Sequence, residues 1–401
     1  MRHDFDHDIV ISGGGVAGLA AAAAFGQAGF DVLCCDPSPP VAAREAKGAD
    51  LRTTAFLQPA RDLLGRVGLW DRLAPHATPL RVMRIVDAGG RDPEPRRSVD
   101  FDAADISDRP FGWNLPNWLL RREFVAHLGA LPNVTFRPGT ATCSLFTREA
   151  EARVGLSDGA QLRCRLVIAA DGRASPMRQA AGIAVTTLRY GQKALAFAVT
   201  HPSPHGNVST EIHRSGGPFT LVPLPDQQGC PSSAVVWMED GPEAVRLADL
   251  PEAEFEAEMS ERACHLLGPL TLASRRTVWP IISQVAHRMV AERVALMAEA
   301  AHVVPPIGAQ GLNMSLADLR ALLDLACAAP GRLGDAAMLD DYARARHPDI
   351  LTRIAGIDAL NRASKVRAQP LRDARALALN AVYSLAPVRK TLMQMGLGAR
   401  G

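Results

Sequence analysis

Three glycines and one carboxylate near the N-terminus have the spacing of a dinucleotide-binding site. Gly13, Gly15 and Gly18 follow a short apolar run, and Asp36 ends a second apolar run about 20 residues after the glycines. Gly13 would permit a tight turn, Gly15 the approach of a pyrophosphate, and Gly18 the close packing of a helix on a strand. Asp36 would accept hydrogen bonds from ribose hydroxyls. Cofactor contacts are therefore predicted at Gly13, Gly15, Val16, Ala17, Gly18 and Asp36.

A second turn with a carboxylate follows the apolar run at 161–170. Asp171 and Gly172 stand directly after this run and before helix-like sequence. An ordinary strand-to-helix turn and a turn that faces a dinucleotide explain this pattern equally well. The first two turns do not distinguish FAD from NAD.

A third turn favours FAD. Glu299 follows the apolar run at 293–297, and a carboxylate at a strand end can hold ribityl hydroxyls. The turn after it would place backbone N–H groups at a helix start, facing the electron-rich end of a flavin ring. NAD dehydrogenases have no need of such a third piece. This turn spans residues 308–313.

Together these stretches resemble the single-component flavin aromatic hydroxylases, whose type member acts on para-hydroxybenzoate. Within that superfamily the chain is most similar to the ubiquinone-biosynthesis FAD-dependent hydroxylases, and the resemblance covers nearly the whole chain. It implies that Arg52 and Arg121 reach the ribityl or phosphate groups, and that Asp171 and Gly172 serve both FAD and NAD(P)H. It also implies cofactor contacts in the family's third motif, at Glu299, Pro306, Gly308, Gln310, Gly311 and Asn313. The segments that carry the narrower resemblance are 50–55, 114–119, 210–213, 217–224, 358–362 and 392–398.

The resemblance implies a monooxygenase that hydroxylates the aromatic ring of a polyprenylated phenol or quinone precursor in ubiquinone biosynthesis. NAD(P)H would reduce FAD, and O₂ would form a C4a-hydroperoxyflavin that transfers its distal oxygen to the ring. No catalytic residue is assigned, but Tyr190, Glu211 and His213 are candidates for a base or proton relay near the substrate. Ordinary sheet residues are the preferred interpretation of all three. An apolar tunnel could be lined by Phe219, Leu221, Val222, Trp237 and Trp279, which a plain sheet core explains equally well.

One departure from the superfamily bears on the cofactor. Ala298 and Glu299 stand where many members read Gly-Asp, so a Cβ is added and the carboxylate reaches one methylene further. Weakened FAD retention is the resulting hypothesis. Two alternatives stay open: a geranylgeranyl-reductase-like flavin reductase or oxidase, and a non-catalytic lipid-holding subunit of the biosynthetic complex. Segments 50–55 and 358–362 weigh against the reductase.

The predicted fold class is α/β (α+β), with a discontinuous Rossmann-type FAD-binding domain, a β-sheet substrate domain and C-terminal helices. Strands are expected at 80–88, 194–200, 208–213, 219–224, 233–238 and 276–281, with one helix at 252–267. Later helices are expected at 319–328, at 338–361 with a kink or break near Pro348, and at 374–392. The predicted domains are FAD-binding (1–78, 110–181 and 285–330), substrate (79–109 and 182–284) and C-terminal helical (331–401).

Composition narrows the function classes. A net charge of +2 gives no basic field for nucleic acid, and seven cysteines without ligand spacing fit a reducing compartment and no metal site. Cys34 and Cys35 are expected to fill the core.

Glycines interrupt the apolar stretch 9–35, so no spanning segment is expected and the protein is placed in the cytoplasm. Segment 383–390 is apolar with adjacent cations; docking on the core is preferred, and contact with the inner membrane or a partner is the alternative.

Overall fold

The computed structural model describes residues 5–41, 43–90, 92, 94–366 and 368–397. The ends of predicted regions 1–78 and 331–401, and Gly398 of segment 392–398, lie outside these ranges. The strands are β1 (His7–Ser12), β2 (Val32–Asp36), β3 (Thr53–Leu57), β4 (Thr78–Leu80), β5 (Val82–Asp87), β6 (Arg97–Asp102), β7 (Gly112–Pro116), β8 (Val134–Pro138), β9 (Thr142–Thr147), β10 (Ala152–Leu156), β11 (Gln161–Ala169), β12 (Val185–Thr200), β13 (Val208–His213), β14 (Pro218–Gln227), β15 (Cys230–Asp240), β16 (Thr271–Leu272), β17 (Thr277–Ala286), β18 (Val290–Ala291), β19 (Val294–Leu296) and β20 (His302–Val303). The helices are α1 (Val16–Gln27), α2 (Gln58–Arg66), α3 (Trp70–Leu73), α4 (Asn117–Leu128), α5 (Pro176–Ala180), α6 (Gly241–Asp249), α7 (Glu252–Arg262), α8 (Gln310–Ala328), α9 (Ala336–Ser364), α10 (Gln369–Ser384) and α11 (Ala386–Leu397).

The first sheet has eight strands and carries the predicted nucleotide turns. Its main order is β18-β19-β11-β1-β2-β8, and β10 extends it from β11 to β9. The strands from β19 to β8 are parallel, so their carboxyl ends lie at one edge. Apolar runs form these strands because both faces of the sheet are covered. Cys34 and Cys35 are buried here, and burial raises the pKa of both thiols, to about 11 for Cys35. Both cysteines fill the core, as expected.

The second sheet has nine strands in the main order β20-β17-β12-β15-β14-β13-β5-β6, with β16 beside β12. It is mixed, because β5 pairs parallel to β13 while its other neighbours pair antiparallel. One face packs on α6 and α7 and includes Phe219, Leu221 and Trp237. The opposite face contributes Ala194 and Met238 to the core shared with the first sheet. The core interpretation therefore holds for Phe219, Leu221 and Trp237, which do not line a tunnel beside the first sheet.

The bounds of four elements differ from the prediction. The run 80–88 is two strands, because β4 pairs with β7 in a three-stranded sheet while β5 pairs with β13. The helix expected at 252–267 ends at Arg262, since Cys264 and His265 adopt left-handed backbone angles, and a separate α6 precedes Pro251. Helix α8 begins at Gln310, earlier than 319. The helix expected at 374–392 is divided at Leu385, because Pro387 has no N–H to continue α10 and instead stands near the start of α11.

Helix α9 runs unbroken through Pro348, where a kink or break was expected. Within the described ranges, none of the helices combines the length and the apolar character that crossing a bilayer requires. Strands β5 and β6 share a sheet with β12 to β17, so distant parts of the chain build one layer. The α/β class with a discontinuous nucleotide-binding sheet is confirmed, and the domain boundaries themselves stay a prediction.

Candidate functional site

The first glycine turn packs against the second turn and against its own helix. Gly13 has a φ of +106°, and a Cβ there would lie 2.4 Å from the carbonyl oxygen of Ala170. A Cβ at Gly18 would lie 1.8 Å from the carbonyl oxygen of Gly13. Both positions therefore require glycine. Gly15 differs, because no protein atom lies within 4 Å of its added Cβ at the start of α1.

Asp36 is held beside this turn by two backbone amides. The N–H of Gly14 donates to one carboxylate oxygen at 2.6 Å, and the N–H of Ser38 donates to the other at 2.8 Å. A carboxylate has about four acceptor positions, so each oxygen can accept a further hydrogen bond. The geometry is compatible with the predicted ribose contact, which stays a prediction.

Asp171 is oriented by groups from both flanking elements. Its carboxylate accepts hydrogen bonds from the Ser12 hydroxyl at 3.2 Å, from the Met177 N–H at 3.1 Å and from the Ser175 hydroxyl. Ser12 ends β1 and Met177 lies in α5, so the carboxylate joins the first turn to the second. Gly172 has a φ of +84° and no protein atom within 4 Å of an added Cβ. The second turn thus offers open space next to the first.

Arg178, which the sequence did not single out, joins the second turn to the third. Its guanidinium is buried and donates to the carbonyl oxygens of Ala300 and Arg173, both at 2.9 Å. Arg173 also lies 3.8 Å from the half-exposed carboxylate of Glu299. The three turns therefore converge at one edge of the first sheet, although more than a hundred residues separate each from the next.

Ala298 adopts a left-handed backbone angle, with a φ of +54°. Glycine takes this conformation readily, whereas a residue with a Cβ pays roughly 1–2 kcal/mol. Ala298, which stands where many members have Gly, therefore introduces backbone strain next to Glu299.

A buried charge network supports the third turn. The Nε2 of His302 lies 2.7 Å from one carboxylate oxygen of Asp318, and the Nε of Arg346 donates to the other at 2.8 Å. The side chains of His302 and Asp318 are almost completely buried. The N–H of Ala298 also points to Asp318, at 3.4 Å. His302 therefore packs beside the third turn and connects it to α8 and α9.

The amide side chains of the third turn are bonded to protein. Asn313 accepts from the N–H of Leu57 at 2.9 Å and donates to the carbonyl oxygen of Ala55 at 2.7 Å, which fastens the turn to β3. Gln310 donates to the carbonyl oxygen of Gly396 in α11 at 3.3 Å and accepts from Arg353 at 3.0 Å. Gly308 has a φ of +65°, Pro306 is half-buried, and an added Cβ at Gly311 would meet no protein atom within 4 Å. The open space beside Gly311 leaves room for a ligand at the start of α8.

The two arginines that are predicted to reach the cofactor both act on Asp50. Arg52 forms a two-pronged ion pair with Asp50, at 2.8 and 2.7 Å, and its guanidinium lies 5.5 Å from the centre of the Trp279 ring. Burial alone would raise the pKa of Asp50, but Arg52 and the amide of Asn117 hold it below its usual value. Among the described residues, the Nε of Arg121 is buried without a hydrogen-bond partner. An unpaired buried cationic donor is costly unless an anion such as a phosphate meets it.

The substrate-side candidates lie on the second sheet. The Tyr190 hydroxyl is 2.7 Å from the Ser283 hydroxyl, and burial raises its pKa, with a further rise from Asp358. Glu211 and His213 lie two residues apart on β13, and the Nε2 of His213 is 2.7 Å from a carboxylate oxygen of Glu211. The proton-relay roles of these three residues stay predictions.

The late segment 358–362 packs on the same sheet, at β12. The amide of Asn361 donates to the side-chain oxygen of Gln192 at 3.0 Å, and both residues are buried. The nearby Lys365 donates to the carbonyl oxygen of Tyr190 at 2.6 Å. Helix α9 is thereby bound to the sheet at the point where Tyr190 stands.

The residues at the converging turns fit an anionic dinucleotide. Open space lies beside Gly15, Gly172 and Gly311, all of which border starts of helices or turns rich in N–H groups. The predicted contact of Arg121, whose Nε is an unpaired donor, with the same ligand stays a prediction. Within the described part of the chain, no cluster of three or more His, Cys, Asp or Glu side chains could hold a metal ion.

Comparison with known proteins identifies the family. The model of the FAD binding domain family matches residues 6–353. The chain belongs to this FAD-binding family. Ubiquinone hydroxylase UbiL of Rhodospirillum rubrum is 33% identical to this chain, and the match covers 98% of this chain and 89% of UbiL. The 3-demethoxyubiquinol 3-hydroxylase of Escherichia coli K12 is 27% identical over 98% of both chains.

A solved structure supports the same fold for this FAD-binding chain. The p-nitrophenol 4-monooxygenase PnpA of Pseudomonas putida DLL-E4 superposes with a TM-score of 0.79 at 22% identity, covering 98% of this chain and 99% of that one. The predicted membership in the ubiquinone-hydroxylase group of flavin monooxygenases, and the predicted FAD-binding fold, are confirmed. Which side chains contact FAD stays a prediction.

Proposed function

We propose that this chain is an FAD-dependent monooxygenase that hydroxylates the aromatic ring of a polyprenylated phenol or quinone precursor in ubiquinone biosynthesis. The observation that carries the proposal is the 33% identity to a ubiquinone hydroxylase over nearly the full length of both chains. O₂ and NAD(P)H are the co-substrates. The Asp171–Gly172 turn, next to the first glycine turn, supports the use of a nicotinamide coenzyme by analogy with the family motif.

The role of the chain's own residues is to bind and orient FAD. FAD supplies the oxygen chemistry when bound, and the protein supplies position and a dry pocket. The helix start at Gly15 would hold the pyrophosphate, Asp36 the adenosine ribose, and Arg121 a phosphate or ribityl oxygen. Arg52 is fixed by Asp50 and lies beside Trp279 of the second sheet. On the face of that sheet opposite α6 and α7, Val236 and Trp279 are only partly buried, and they would contact an aromatic ring.

A polyprenylated substrate partitions into lipid, so we propose that the protein works in the cytoplasm in contact with the inner membrane.

Deletion of the gene in its host tests the function directly. The deletion strain is expected to accumulate one polyprenylated precursor that lacks a single ring hydroxyl, identified by mass spectrometry of the lipid extract. Restoring the wild-type gene under isotopically heavy O₂ is expected to place the heavy oxygen in the product ring. The matched variants for complementation are Gly15→Ala, at the proposed pyrophosphate contact, and Gly356→Ala, on α9, where an added Cβ also meets no protein atom within 4 Å.

The outcomes separate the proposal from its alternatives. Accumulation of a lipid with an unreduced prenyl double bond, and no heavy oxygen in the product, would indicate a reductase. An unchanged lipid profile would refute the function. A colourless purified protein whose gene restores the pathway even when FAD cannot bind would indicate a lipid-holding subunit.

A further inference from the structure

Asn114 is a fully buried side chain at the corner where the third turn, the three-stranded sheet and the second sheet meet. It lies on β7, directly opposite Ala55 of β3. The carbonyl oxygen of Ala55 accepts a hydrogen bond from Asn313 of the third turn at 2.7 Å. The amide of Asn114 itself donates to the carbonyl oxygen of Pro223 on β14 at 2.9 Å. Asn114 is therefore one strand away from the third turn and in direct contact with the second sheet.

The side-chain oxygen of Asn114 is an acceptor without a donor. Among the described residues, this buried oxygen has no hydrogen-bond partner. The orientation of the amide is fixed, because the carbonyl oxygen of Pro223 can only accept and must therefore face the amide nitrogen. Buried acceptors are nearly always paired, since burial removes the water that would otherwise donate to them. The oxygen at this corner is therefore available to a donor group that does not belong to the chain.

The strand that Asn114 contacts belongs to the face of the second sheet on which an aromatic ring would lie. On β14, Phe219 packs toward α6 and α7. Alternation places Thr220 and Val222 on the opposite face, and both are half-buried. Thr220 is paired with Val236 of β15, a residue that would contact the ring. Asn114 meets β14 one residue beyond Val222, so a ring held between this face and the third turn comes close to its side chain.

We propose that the side-chain oxygen of Asn114 accepts a hydrogen bond from a ring hydroxyl of the substrate and thereby selects a free phenol over its methyl ether. This inference rests on the proposed function, which brings an aromatic ring to this face of the second sheet. A hydroxyl group donates to the buried oxygen, whereas a methoxy group in the same position cannot donate and leaves the oxygen unpaired. A site built to hydrogen-bond one group of a substrate discriminates strongly against an analogue that lacks it, because the buried partner loses its only bond. Asn114 is thus a specificity-determining residue.

Ligand titration of the full-length, FAD-loaded protein tests this contact without any turnover. The probes are ortho-prenylphenol and its methyl ether, ortho-prenylanisole, and the binding of each is measured from the change in flavin absorbance. The wild-type protein is expected to bind the phenol about tenfold more tightly than the ether. Asn114→Leu should bind the two probes within about twofold of each other, because the acceptor is gone. Asn114→Asp should keep the preference, since burial favours the protonated carboxyl group, which retains one donor and one acceptor.

Two further variants separate this contact from a loss of stability. Asn114→Val removes the same oxygen with a smaller side chain that suits a strand, and it replaces Asn114→Leu should that variant lose FAD. The matched control is Asn133→Leu, because the amide of Asn133 also donates to backbone carbonyl oxygens, those of Gly26 at 2.8 Å and Phe30 at 2.7 Å. Asn133 lies at the amino end of β2, whereas the converging turns lie at the carboxyl ends of the strands. The control variant should still prefer the phenol about tenfold.

The outcomes are distinct. Equal affinities of the wild-type protein for the two probes, or no binding of either, would overturn the proposal. A preference that survives in Asn114→Leu would overturn it too, since water alone would then satisfy the oxygen, and so would a preference that is lost in Asn133→Leu. A precursor lipid that accumulates in the deletion strain, combined with equal affinities, would keep the hydroxylase and remove the hydroxyl contact. An unchanged lipid profile combined with the expected preference would keep the contact and refute the hydroxylase.

Discussion

Removing the carboxylate of Asp318 should destabilise the protein strongly, because the buried Arg346 would lose one of its two carboxylate partners. Asp318 is fully buried, and it bonds to His302 at 2.7 Å and to Arg346 at 2.8 Å. Removal of one partner of a buried ion pair costs about 3–5 kcal/mol. Arg346 keeps a second partner, Asp349 at 2.8 Å, so the lower end of that range applies. We expect Asp318→Asn to lower the free energy of unfolding by about 3 kcal/mol.

Urea unfolding of the protein without FAD, followed by circular dichroism, measures this loss. The matched control is Asp341→Asn, because Asp341 pairs with Arg344 on the exposed side of α9. Surface pairs contribute about 0–1 kcal/mol, so this variant should unfold almost as the wild type does. The double variant Asp318→Asn with Arg346→Met should be less destabilised than the two single losses added together, because the unpaired cation is gone.

A loss below about 1 kcal/mol for Asp318→Asn, comparable to that of a surface pair, would refute the reasoning. Additive losses in the double variant would do the same, because they would mean that the two charges do not act on each other. Either result would also remove the support that we assign to Ala298 and the third turn.

Three further predictions concern the cofactor site. Gly15→Ala should leave the free energy of unfolding within about 0.5 kcal/mol of wild type, because no protein atom meets the added Cβ, yet it should weaken FAD binding in a titration of flavin fluorescence; unchanged affinity would place the pyrophosphate elsewhere. Asp50 has a lowered pKa in the folded protein, so its contribution to stability is present above the unfolded pKa of about 3.9 and lost as the pH falls through the folded pKa. Asp50→Asn should therefore flatten that acid loss in unfolding measured against pH, and an unaltered profile would contradict the pairing with Arg52. Glu299→Asp should slow FAD loss during extended dilution, whereas a wild-type protein that keeps its full flavin would count against weakened retention.

Several functional residues could not be found from sequence because they act across long separations. Arg178 is an ordinary cation after a turn, and its role depends on the carbonyl oxygen of Ala300, 122 residues away. Asn313 was assigned to the cofactor by motif, but its amide is bonded to β3. Only Asp318 could have been found from the sequence, since an acid on the apolar face of α8 predicts a buried partner. The identity of that partner, Arg346, depends on how α9 crosses α8.

Local chemistry explains why the glycine turns and their strands were predictable. Gly13 is favoured by its own positive φ and Gly18 by its contact with Gly13, both within one strand–turn–helix unit, and Asp36 ends a strand paired directly to the first. Such features depend on residue type and short spacing, so the sequence by itself determined the nucleotide-binding sheet and its glycine turns. It also determined the family, because the motifs extend along the whole chain.

Only the tertiary structure decided which faces of these elements meet. An alternating strand shows which side chains share a face but not which neighbouring layer covers that face. The sequence therefore could not tell that Phe219 and Trp237 pack under α6 and α7. The same holds for α11, where spacing alone leaves open which side docks and which side stays exposed. Burial is a property of the assembled layers, and it is set by packing between segments far apart in the chain.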